Sequence, residues 1–277
     1  MDKWNLIVDV AQCHNCNNCV LAAKDEYVGN EFPGYSASHP KQGRGVIAID
    51  STYRGSSAMV DVAHRPKLCQ HCDNAPCVAK GQGAVSKRPD GIVIFDPVKA
   101  KGRKDLVEVC PHGAVIWNEE LELPQNWIFD AHLLDQGWNM PRCEQVCPTG
   151  AISSVKVSDE KMQALVQELG LEVERAELKP RVYFKNLYRE TQVFIGGSLQ
   201  LERDGLLDCA AQVEVALVKE GQELARTTSD LFGDFRFDGL EPNSGVYCLE
   251  ISAAPGDAKT VQCDLKAESI VLEPFTL

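Results

Sequence analysis

Nine of the twelve cysteines fall before residue 150, most of them at short, repeated intervals. Cys13, Cys16 and Cys19 follow one another at three-residue steps in CHNCNNC, and Cys69, Cys72 and Cys77 form a second triad in CQHCDNAPC. Cys110 and Cys147 each precede a proline, in VCPHGAV and VCPTGAI, which together look like an internal repeat. Three thiolates from one tight loop fit three iron corners of a [4Fe–4S] cube and leave the fourth to a remote ligand. That is the logic of the bacterial C-x2-C-x2-C-x3-C-P run. A proline after the remote ligand stops a helix from running past it. Position 23, where the run would place its fourth cysteine, is alanine. Two triads and two Cys-Pro pairs supply eight thiolates, enough for two cubanes. Structural zinc also takes four cysteines, but usually as two close pairs, so the spacing favours iron–sulfur. Cys209, Cys248 and Cys263 stand alone and read as small buried hydrophobes.

The elements that must position these ligands are short. LIVDV (6–10) leads into the first triad, and GIVIFD (91–96) precedes Cys110. Between the triads lies a polar, Gly-rich stretch, roughly 28–66, with one strand candidate, GVIAID (45–50). A loop of that length is usually functional or interfacial. Ser158 followed by Asp159 and Glu160 predicts a helix start. Met162, Leu165, Val166 and Leu169 lie at helical spacing, and Gly170 is its stop. PRVYFKNLY (180–188) reads as an extended connector. From about 191 the pattern turns all-β: QVFIGGSLQLE, AQVEVALVK, GVYCLEISA and ESIVLEPFTL alternate as strands, with a further strand between turns in TTSDLFGDFRFDGL. Short strands punctuated by turns predict a small β-sandwich.

The chain has 277 residues, 44% apolar and 25% charged, with a net charge of −12. That sign disfavours nucleic acid and anionic membrane as partners. No apolar run has the length of a membrane helix. The N-terminus has neither an export-signal pattern nor a twin arginine, so a cytoplasmic location is expected. In such a compartment cysteines serve more often as metal ligands than as disulfides. His71, between two candidate ligands, is expected to pack or hydrogen-bond near a sulfur, and His14 and His112 are placed to tune potential by the same route. His39, His64 and His132 lack partners at ligand spacing. There is no Gly-rich phosphate loop, nucleophile elbow or HExxH, so no active site is expected on this chain.

CQHCDNAPC (69–77), DGIVIFD (90–96), CPHGA (110–114) and MPRCEQVCPTGA (140–151) resemble the iron–sulfur subunits of the molybdopterin (DMSO reductase-type) oxidoreductases. Within that family, CHNCNNC (13–19), NEFPGY (30–35), HCDNAPCVAKG (71–81), AHLLD (131–135) and KPRVYFKNLYR (179–189) are most similar to the small subunits of pyrogallol–phloroglucinol transhydroxylases and relatives such as resorcinol hydroxylase. The resemblance runs on through LFGDFRFDGL (231–240) and covers nearly the whole chain.

It implies an α+β fold: a double ferredoxin-like [4Fe–4S] domain over 1–190, then an all-β transthyretin/carboxypeptidase-regulatory-like (Ig-like) sandwich over 191–277. The family pattern has four motifs, the first paired with the fourth and the second with the third. Carried onto this chain, Cys13, Cys16, Cys19 and Cys147 hold one cluster, and Cys69, Cys72, Cys77 and Cys110 the other. The remaining two sets are broken. One would need cysteines at Ala100, Arg103, Leu106 and Gly81, the other at Trp127, Asp130, Cys143 and Ala23, of which only Cys143 remains. A single thiolate and carboxylate do not hold a cubane, which makes Cys143 an unligated leftover.

The resemblance further implies a heterodimer whose large subunit carries molybdenum on two pterin guanine dinucleotides and acts on polyhydroxylated aromatics, this chain being its electron-transfer subunit. Two rival readings are an iron–sulfur subunit of another molybdenum reductase and a binding protein stapled by structural clusters.

Overall fold

The computed structural model describes residues 1–203, 205–252 and 258–277. It divides into two compact units, one of residues 1–51 and 64–187, the other of 52–63 and 188–277.

The first unit is organised on a three-stranded sheet. The strand Lys3–Asp9 lies in the middle, antiparallel to Ile152–Val157 and parallel to Val182–Lys185. Leu6, Val8, Val182 and Phe184 are fully buried. Within PRVYFKNLY (180–188), Val182–Lys185 is therefore a core strand and not the connector its position suggested. Its alternating Val182 and Phe184 supply the inward face. The helix Asp159–Leu169 starts and stops as expected: the Ser158 hydroxyl accepts from the Lys161 amide, and Gly170 takes a left-handed conformation at φ 61°. Its apolar stripe is shallower than the spacing implied, since only Met162 is buried and Leu169 is exposed. Shorter helices carry the cysteine motifs: Asn18–Tyr27, Pro76–Gly81, Asp105–Glu108 and Arg142–Gln145. Val85–Lys87 and Val93–Phe95 form a small hairpin beside the second triad.

Part of the supposed polar loop is ordered as a two-stranded ribbon, Ala48–Ser56 with Met59–Lys67. The strand begins later than GVIAID, because Val46 and Ile47 turn into the core instead.

In the second unit Val193–Arg203 is flanked by Leu206–Cys209 and Asp234–Leu240, with the short pieces Ile270–Val271 and Phe275–Thr276 added along it. A second sheet runs Gln222–Thr228, Glu214–Lys219, Gly245–Ser252, Ala258–Leu265. Ile195, Leu199, Val215, Leu217, Phe235, Leu249, Ile251 and Leu265 form one core between alternating inner faces. This β-rich unit fits a sandwich. Gly233, at φ 81°, sits where a Cβ would collide with the Leu199 carbonyl oxygen, so the LFGDF turn requires glycine. Cys263 belongs to this core and Cys248 is half-buried, but Cys209 is exposed, which corrects the expectation that all three are buried. Among the described residues no helix is long and apolar enough to cross a membrane.

Candidate metal centres

The first triad occupies the turn after Lys3–Asp9 and the start of the helix Asn18–Tyr27. Asn15 and Asn17 take left-handed conformations there (φ 54° and 61°), which asparagine tolerates better than most residues. Cys147 follows the helix Arg142–Gln145, in the turn that leads to Ile152–Val157. Burial raises the Cys13 thiol pKa, and repulsion from Cys147 and Cys16 adds to it. Cys19 is pushed up to about 12 by burial and by Cys13, Cys16 and Cys147. The four sulfurs are thus near enough to feel one another's charge. The Asn15 and Val20 amides oppose this by donating to Cys13 and Cys19.

The second set behaves alike. Cys69 is pushed up to about 11, and Cys72 and Cys77 to about 12, by burial first and then by mutual repulsion that includes Cys110. The His71 amide and the Asn126 side chain donate to Cys69, and the Val78 amide to Cys77. Among the described residues no three His, Cys, Asp or Glu side chains converge where one metal ion could sit. A cubane takes its four thiolates at separate corners. The two sets fit it, with Cys19 in one and Cys69 and Cys72 in the other buried and amide donors at two sulfurs of each, and metal binding supplies the positive charge that deprotonated ligands need.

The two broken sets are filled with protein. Where the third would lie, Ala100 and Leu106 are fully buried, and Leu106 joins Val85, Val93, Phe95 and Val115 in a small core that touches Cys77 and Cys110. Arg103 turns to Asp105 at 2.9 Å and to the Lys80 carbonyl. A Cβ on Gly81 would meet Val85 Cγ2 at 2.8 Å, so no cysteine fits there unless Val85 moves.

Where the fourth would lie, Ala23, Trp127, Asp130 and Cys143 are all buried. Trp127 stacks on Phe129 at 4.7 Å between ring centroids. Asp130 accepts from the Tyr27 hydroxyl and from the Arg142 amide at 2.7 Å. Burial, then Asp130 and Cys19, hold the Cys143 thiol well above its ordinary pKa. Phe129 and Asp130 take left-handed backbone conformations here (φ 56° and 51°). This plug meets both intact sets, since Cys143 neighbours Cys19 and Trp127 lies 5.6 Å from the His71 ring.

The histidines separate clearly. His71 Nδ1 accepts from the Val93 amide at 3.0 Å, so its contact of 3.8 Å with Cys69 Sγ is packing and not a donated hydrogen bond. Burial lowers its pKa to about 3 and keeps it neutral. His112 Nε2 lies 3.6 Å from Cys72 Sγ, and its Nδ1 faces Glu174 at 3.5 Å. His14 is exposed. His39 and His132 are buried beside aromatic rings, and His64 bonds Ser51.

Sequence reasoning singled out neither Asn126 nor Lys87. Lys87 Nζ donates to the carbonyls of His71 (2.8 Å), Cys72 (3.0 Å) and Gly91 (2.9 Å) and pairs with Asp73 at 2.9 Å. No local pattern marks a lysine at a strand end as a partner of a loop fifteen residues earlier.

Residues 60–157 match the 4Fe-4S dicluster domain family. The chain is 43% identical to the pyrogallol hydroxytransferase small subunit of Pelobacter acidigallici, over 91% of this chain and 92% of that one. It is 29% identical to the arsenate respiratory reductase iron-sulfur subunit ArrB of a Shewanella species, over 50% and 55% of the two chains. With the thiosulfate reductase electron transfer subunit PhsB of Salmonella typhi the identity is 28%, over 69% and 94%.

Proposed function

The chain belongs to the family of the pyrogallol hydroxytransferase small subunit, and from that premise we propose that it is the electron-transfer subunit of a molybdenum enzyme acting on polyhydroxylated aromatics. The observation that carries this reading is the contrast between two gathered sets of four thiols and two family ligand positions packed solid with side chains.

Cys13, Cys16, Cys19 and Cys147 hold one [4Fe–4S] cluster, and Cys69, Cys72, Cys77 and Cys110 the other. Bound there, the clusters supply one-electron transfer. The chain's own residues aim amides at sulfurs and fix the loops. Residues 1–190 form the double ferredoxin-like domain, and 191–277 a transthyretin/carboxypeptidase-regulatory-like sandwich. The large partner subunit carries the molybdenum bis-pterin guanine dinucleotide and the substrate site, so this chain has no active site. The complex works in the cytoplasm. A route shortened by two clusters suits hydroxyl exchange between aromatics, which moves no net electrons, better than export of electrons to a membrane.

The test is turnover by the complex purified with its large subunit. The expected result is about eight iron per small subunit and conversion of a polyphenol, with a second polyphenol or a soluble acceptor as co-substrate. About twelve iron, mainly zinc, or turnover that depends on quinone and a co-purifying membrane subunit would overturn the proposal.

A further inference from the structure

We propose that Lys87 is the positioning residue that sets the reduction potential of the cluster held by Cys69, Cys72, Cys77 and Cys110. This rests on the ligand assignment above and goes beyond it.

Lys87 ends the strand Val85–Lys87, whose pairing with Val93–Phe95 fixes where its ammonium lies. Three of its four acceptors belong to the second ligand loop: the carbonyls of His71 and Cys72 and the carboxylate of Asp73. In a trans peptide the carbonyl and the amide point opposite ways. Drawing the His71 carbonyl to Lys87 therefore fixes the direction of the Cys72 amide, which points the other way, inside the ligand loop. Amides aimed at the sulfurs favour the reduced cluster, which carries one more negative charge.

The charges act in the same direction. Asp73 also pairs with Arg181 and Lys3, which in turn share Asp159, so three cations face two carboxylates around this loop. The excess is one positive charge, and Lys87 and Asp73 are largely buried (19% and 23% exposed), which weakens its screening although Asp159 reaches solvent. Removing Lys87 leaves that excess absent and the 71–72 peptide unpinned, and both changes disfavour reduction. Removing the charge of Asp73 enlarges the excess, so the potential moves the other way. A lysine that only braced the loop would not give opposite signs. None of its acceptors lies in the Cys13–Cys19 loop or beside Cys147, so the other cluster serves as an internal reference.

The experiment is a redox titration of the complex followed by electron paramagnetic resonance, after iron analysis. Wild type with about four iron would break the ligand assignment itself and is told apart at that step. In Lys87→Met the reduced-to-oxidised ratio of this cluster, read at the wild-type midpoint, should fall about tenfold, or ~59 mV for one electron. The other cluster should not shift. In Asp73→Asn the midpoint should rise. An unshifted midpoint in a fully loaded Lys87→Met chain, or shifts of the same sign in both variants, overturns the proposal. If Lys87→Met loses the cluster, Asp73→Asn decides: a rise supports the proposal, and a fall or no change overturns it.

Discussion

Cys143 and Cys147 lie four residues apart, both beside Cys19, yet they have opposite surroundings. Cys147 adds its charge to those of Cys13 and Cys19, whereas Cys143 is closed in with the Asp130 carboxylate and carries no second thiol from its own former set. Cys147→Ser is therefore expected to cost one cluster, about four iron, while Cys143→Ser leaves the iron content unchanged. Metal analysis and the absorbance of the purified variants check this. Equal losses in both would mean that Cys143 is a ligand. Among the described residues, the surroundings of Cys143 are packed with side chains and leave no cavity for its thiol to face. A buried cavity costs stability in proportion to its volume, and here Trp127, Phe129 and Tyr27 supply the volume while Asp130 finds two donors.

The elements around the second set show how tightly its neighbour is closed. The helix Pro76–Gly81 turns into Val85–Lys87 with Gly81 pressed on Val85, and Leu106 from the next short helix completes the packing. Gly81→Ala should destabilise the first unit by ~1–3 kcal/mol through overpacking. Adding Val85→Ala should recover part of that loss, because the two side chains compete for one space. Thermal or denaturant unfolding of the two single variants and the double variant measures the coupling. Strict additivity would show that the contact carries no strain. The strand Val182–Lys185 teaches the complementary lesson. Its β-branched and aromatic residues were visible, but its role as a core strand depends on the parallel partner Lys3–Asp9 at the other end of the unit.

At the scale of the whole chain, the two units have different sources of stability. The second has two sheets closing over a continuous apolar core. The first has a small sheet, several one-turn helices and loops whose thiols repel one another, so metal binding contributes directly to its folding. Removal of iron by a chelator under reducing conditions should abolish or strongly lower one calorimetric transition and leave a second one near its original temperature. Far-ultraviolet circular dichroism after chelation should keep its β-sheet component. Loss of both transitions together would show that the second unit does not fold on its own core.

The capped helix at Ser158 and the alternating strands after 191 were legible, and the eight cysteines proposed as ligands stood out, because each signal depends on chemistry within a few residues. Loop spacing sets which thiols reach one cube, a hydroxyl caps the amide three residues on, and alternation sets which side chains face inward. The gathering of Cys147 and Cys110 onto their triads came from family likeness, since spacing alone leaves the pairing open. Other features appeared only in three dimensions. The strands Leu206–Cys209 and Gln222–Thr228 are exposed on both faces and carry no alternation to read. The side chains around Cys143, the choice of packing over hydrogen bonding for His71 and the reach of Lys87 to the second loop depend on contacts between segments far apart in the chain. Arg181, for example, bonds Asn5 across 176 positions. Local sequence specifies what a residue can donate, accept or bury, whereas long-range packing decides which partner it meets.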